Sequence, residues 1–83
     1  MDPKKWDSPV TFEENSSGNF RTIASTEEAA RVLLMDWPVR GTKAHQRAKE
    51  VMMFVLMGER PPEEARSAFL AAAADANVFI RNA

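Results

Sequence analysis

Eighty-three residues with 11 basic and 12 acidic side chains, one histidine and no cysteine describe one small domain. They exclude disulfides, thiolate catalysis and cysteine-ligated metal centres. A net charge of −1 argues against broad electrostatic capture of nucleic acid, and the apolar run Val51 to Met57 is far short of the roughly 18 residues of a membrane span.

The start, Met1-Asp2-Pro3-Lys4-Lys5-Trp6, leads into no apolar segment of the signal-peptide kind. The cytoplasm is therefore the expected compartment. Residues 1–8 read as a loose lead-in anchored only by Trp6, within a single domain spanning 1–83. Pro9 to Glu13 alternates, with Val10 and Phe12 on one face, and Pro9 suits the first residue of an edge strand. Glu14 to Asn19 is loop chemistry, with Gly18 or Asn19 able to supply a positive φ. Phe20 to Ile23 alternates again, Phe20 and Thr22 opposing Arg21 and Ile23. Two short strands around a polar loop predict a hairpin, and the loop exceeds two residues, so its register stays open.

Ser25-Thr26-Glu27-Glu28 is a capping box: the hydroxyl caps the Glu28 amide while the carboxylate returns to the Ser25 amide. Ala30, Leu33, Leu34 and Trp37 follow as the apolar stripe of a first helix, and Glu27 pairs with Arg31 on its solvent side. Pro38 stops the helix. Thr42 is the N-cap of a second helix, whose stripe is Ala44, Ala48, Val51, Met52, Val55 and Leu56, with Gly58 as terminator. From Val51 to Met57 that helix is apolar all round, so Met53, Phe54 and Met57 need cover on a second side. Pro61-Pro62-Glu63-Glu64 opens a third helix with stripe Ala65, Ala68, Phe69, Ala72, Ala73 and Ala76, small enough for close packing. Asn77 ends it in a left-handed conformation, and Val78-Phe79-Ile80 predicts a third strand beside the hairpin. The fold class is α+β, in the order ββαααβ, with helices on one face of the sheet.

These residues resemble the domain of unknown function 982 family of small bacterial proteins. The likeness runs from Trp6 to Ile80. It is carried by Trp6-Asp7-Ser8-Pro9-Val10, Glu28-Ala29-Ala30 with Leu33-Leu34 and Trp37-Pro38, and then by Gly41, His45, Ala48 and Gly58. Pro62, Ala65-Arg66, Ala68-Phe69 and Ala72-Ala73 complete it. The resemblance implies a compact α+β domain with no assigned activity, and it carries over no catalytic residue.

Little in the chain signals chemistry. His45 lacks a carboxylate at i+3 or i−4 and has Lys49 at i+4, so it reads as structural rather than catalytic or metal-binding. The pairs Glu27/Glu28 and Glu63/Glu64 lie in helix first turns, where they offset the positive helix end. Adjacent residues diverge on a helix, so neither pair is a proton-sharing dyad. Arg40, Lys43 and Arg47, with Gly41 and Thr42 at the start of the second helix, form a candidate anion site.

The expected function is a non-catalytic interaction or regulatory module that self-associates, without cofactor or metal. A domain this small buries only about 60% of its unfolded surface, which raises the expectation of a partner. Met53, Phe54 and Met57 are the expected homodimer interface, open also to another protein; nucleic acid and membrane are not expected partners. The competing arrangement is a monomer in which the hairpin or Val78-Phe79-Ile80 covers that side, helped by Met35 and Leu70. The alternative function is small-molecule or phosphate binding at the cationic helix start.

Overall fold

A computed structural model describes residues 5–14 and 18–82. The order is β1 (Lys5–Glu13), β2 (Phe20–Ser25), α1 (Thr26–Met35), α2 (Lys43–Leu56), α3 (Pro62–Asp75) and β3 (Ile80–Asn82). The strands form an antiparallel sheet in the order β2-β1-β3. This is the expected ββαααβ α+β fold.

Val10 faces Ile23 and Phe12 faces Arg21, which fixes the register that the loop length left open. Val10, Phe12 and Ile23 point into the core, while Thr11 and Thr22 join hydroxyls at 2.8 Å on the outer face. Residues 15–17 of the hairpin loop lie outside the described residues. Of the rest of the loop, Gly18 takes φ +82° and its amide donates to the Glu13 carboxylate.

Three expectations about the strands need correction. β1 begins at Lys5, so Lys5 to Ser8 belong to the sheet rather than to a loose lead-in, and Trp6 is 4% exposed. Residues 1–4 of that lead-in lie outside the described residues. Pro9 falls inside the central strand rather than starting an edge strand. The pairing of β1 with β2 shifts register between Lys5 and Val10, where the missing proline N–H would interrupt a regular ladder. The Ser8 carbonyl in this irregular stretch accepts from Arg66 Nε of α3 at 2.8 Å. β3 pairs with β1 as expected but lies two residues later, because Val78 is still part of the α3 terminus.

That terminus is a Schellman turn: Val78 N–H donates to Ala73 O and Asn77 N–H to Ala74 O, with Asn77 at φ +59°. α2 ends in the same way at Gly58, where Glu59 N–H reaches Phe54 O at 2.9 Å. Thr42 caps the start of α2, accepting from His45 N–H at 3.1 Å. Ser25 caps α1, accepting from Glu28 N–H at 3.2 Å. The Glu28 carboxylate goes to the amide of Ala24 at 2.8 Å rather than to that of Ser25, which is still partnered with Lys5 in the sheet.

The core gathers on Phe69 of α3. Trp6, Phe12 and Trp37 surround its ring with centroid distances of 6.1, 5.5 and 5.3 Å. β1 therefore packs on α3, and β2 runs directly into α1. The principal neighbours of α2 are α1 and α3, so it forms the layer farthest from the sheet.

Candidate functional site

The outward side of α2 and the adjoining wall of α1 enclose a groove of about 830 Å³. Met53, Phe54 and Met57 line it from α2, and all three are exposed, Met53 at 62%. Sequence periodicity singled out these side chains, and the fold brings them together. Ala30 and Leu34 form the opposite wall from α1, and Gln46, Lys49 and Glu50 contribute polar groups from α2. Arg60 lies over the Phe54 ring at 5.9 Å and is itself paired with Glu64 at 3.0 Å.

Leu34 overturns an expectation. Its place in the α1 stripe suggested core, yet it is 56% exposed, and the buried face is Thr26, Ala29, Val32 and Leu33. The helix is turned by about one residue from the sequence reading. The cause is Thr26, whose hydroxyl accepts from the buried Trp6 indole N–H at 3.1 Å and pins the first turn inward. Residues at i+3 and i+7 from Thr26 then face the core, and Leu34 does not. A signal existed: Leu34 stands seven residues after Glu27 and three after Arg31, both assigned to solvent. Trp37 is buried as expected but lies beyond the helix, which ends at Met35.

Among the described residues, Met53, Phe54 and Met57 stay exposed and are not covered in the way the monomer arrangement required. Val78 and Ile80 pack against the core beside β1, Leu70 packs against it from α3, and Met35 is exposed. Leu34, Met53, Phe54 and Met57 are not part of the core.

The cationic start of α2 is arranged differently from a ready anion cradle. Arg40, Lys43 and Arg47 are exposed, and Arg40 donates to the Met35 carbonyl at 3.3 Å. The Gly41 amide donates to His45 Nδ1 at 3.3 Å, and the His45 amide is taken by Thr42. One first-turn amide an anion would use, that of His45, is thus engaged, and the Gly41 amide just before the cap is spent on the His45 ring.

His45 is a structural residue. It is 2% exposed and stacks on Trp37 with an interplanar angle of 7°. Nδ1 faces an amide that can only donate, and Nε2 meets the Leu33 carbonyl at 2.8 Å, which can only accept. Both contacts are satisfied by the tautomer carrying its proton on Nε2. Among the described residues, no group of three His, Cys, Asp or Glu could hold a metal ion, and no buried side-chain nitrogen or oxygen lacks a hydrogen-bond partner. No helix among them is long and apolar enough to cross a membrane.

Comparison with known proteins extends the likeness beyond the fold. No curated protein matches the chain. The NMR structure of Agrobacterium tumefaciens protein Atu1219, a structural genomics target, is similar to it at 34% identity and a TM-score of 0.80. The alignment covers 99% of this chain and 81% of that one. Residues 8–80 match the family described as protein of unknown function DUF982, and the chain belongs to that family.

Proposed function

We propose that the protein is a non-catalytic interaction module that self-associates through the groove between α1 and α2. The observation that carries this reading is the groove itself. Leu34, Met53, Phe54 and Met57 stand in water around one depression, beside a core of which they are no part. Monomers generally limit contiguous apolar surface of this kind, and a copy of the same chain is the commonest partner that covers it. Two further features support a non-catalytic role. Both ring nitrogens of the lone histidine are spent on backbone groups, and the carboxylates of Glu28 and Glu64 are spent on an amide and an arginine.

The test is sedimentation equilibrium or light scattering on the wild type and Met53→Asp, with circular dichroism on both. The wild type is expected to show a concentration-dependent dimer, and the variant a monomer of wild-type helix content. A wild type that stays monomeric at millimolar concentration would overturn self-association.

A further inference from the structure

We infer that Met53 and Met57 are a modification site for hydrogen peroxide, and that their oxidation turns the groove between α1 and α2 from apolar to polar. The chemistry stands on the groove itself, and only its consequence for association rests on the reading just proposed.

The fold divides the methionines of the described residues sharply. Met35, Met53 and Met57 are 69%, 62% and 58% exposed, whereas Met52 is 1% exposed. Exposure sets reactivity, because peroxide must collide with the sulfur. Met53 and Met57 stand about one turn apart on the exposed crest of α2, and both line the groove. Met35 is the last residue of α1 and is not part of the lining. The chain has no cysteine, so its only sulfur is in thioethers and no thiol competes for the oxidant.

In the reaction a lone pair on the methionine Sδ attacks one oxygen of the peroxide. The S–O bond forms as the O–O bond breaks, and the second oxygen leaves as water with the proton of the first. The sulfur loses two electrons to become a sulfoxide, and the peroxide is reduced to water. A flexible apolar side chain thereby becomes a polar one with a strong acceptor oxygen. Leu34, Met53, Phe54 and Met57 are the large apolar side chains that both line the groove and stand exposed, and this step makes half of them polar. A partner surface covering the groove would then bury an acceptor without a donor, which weakens association by about tenfold or more. The fold itself is untouched, because Met52 and the rest of the core stay shielded. Methionine sulfoxide reductases, drawing electrons from a thiol, return the thioethers.

The test treats the wild type and Met53→Leu/Met57→Leu with hydrogen peroxide, at protein concentrations low enough for monomers. Tandem mass spectrometry reads oxidation at each methionine, the neutral apolar dye Nile red reports on the groove, and circular dichroism reports on the fold. Met53 and Met57 are expected to oxidise at least about tenfold faster than Met52, which reacts only when α2 opens locally. Dye emission from the wild type is expected to fall by about half or more, with circular dichroism unchanged. The double variant keeps an apolar groove without the reactive sulfurs, so its dye emission is expected to survive peroxide. Met52 oxidising as fast as Met53 would overturn the selectivity. Unchanged dye emission with both sulfoxides formed would overturn the switch, and so would an equal loss in the double variant, since it would place the effect at another methionine. Sedimentation separates this inference from self-association. A reduced protein that is monomeric throughout, yet loses dye emission on oxidation, would overturn self-association alone. A dimer unweakened by the two sulfoxides would overturn the consequence for association.

Discussion

Met52 and Met53 are neighbours in the chain and opposites in the fold, so the same substitution at each gives opposite outcomes. Met52 is 1% exposed within the cluster around Ala48, Val55 and Phe69, whereas Met53 stands on the crest of α2. Met52→Asp removes an apolar side chain whose burial is worth about 1.5–3 kcal/mol. It also buries a carboxylate with no cation against it, at a cost of several kcal/mol more. A domain of this length holds about 4–12 kcal/mol in total, so the variant loses most or all of its folded population. Met53→Asp loses only the difference in helix propensity, about 0.5 kcal/mol, which lowers Tm by less than about 5 °C. Urea and thermal melts followed by circular dichroism are the assay, at protein concentrations low enough that association adds nothing to stability. A cooperative melt for Met52→Asp within a few degrees of wild type would refute the placement of α2. So would a loss of more than about 2 kcal/mol for Met53→Asp, because it would mean that the crest is part of the core.

Ser25→Ala is expected to lower stability by about 1 kcal/mol, since it removes the acceptor for the Glu28 amide at the start of α1. An unchanged urea midpoint would show that the cap contributes nothing. At the start of α2, sulfate and chloride at matched ionic strength are compared for their effect on Tm. The expected outcome is the same difference in the wild type and in Arg40→Ala/Arg47→Ala, because the amides of Gly41 and His45 are already engaged and sulfate also stabilises proteins generally by exclusion. A difference that disappears in the double variant would instead establish an anion site there.

Much of this molecule is written in short-range chemistry, and that part was legible. Ser25 and Thr42 sit where helix starts need oxygen acceptors, and Gly58 and Asn77 sit where helix ends need a positive φ. Each acts within four or five residues of itself, so no tertiary information is needed to place it. The all-round apolar segment of α2 was equally legible, because one core can cover only one side of a helix and the rest of an all-round apolar segment then forms a second apolar face. The rotation of α1 was not. Two stripes, one through Ala29 and Val32 and one through Ala30 and Leu34, differ by a single residue, and local pattern cannot choose between them. The choice falls to a hydrogen bond between Trp6 and Thr26, 20 residues apart. With Thr26 on the inner face beside Trp6, Leu34 stays outside the core. Periodicity therefore determined that α2 has a second apolar face, whereas only the packing of α1 against the sheet decided that this face is one wall of a groove.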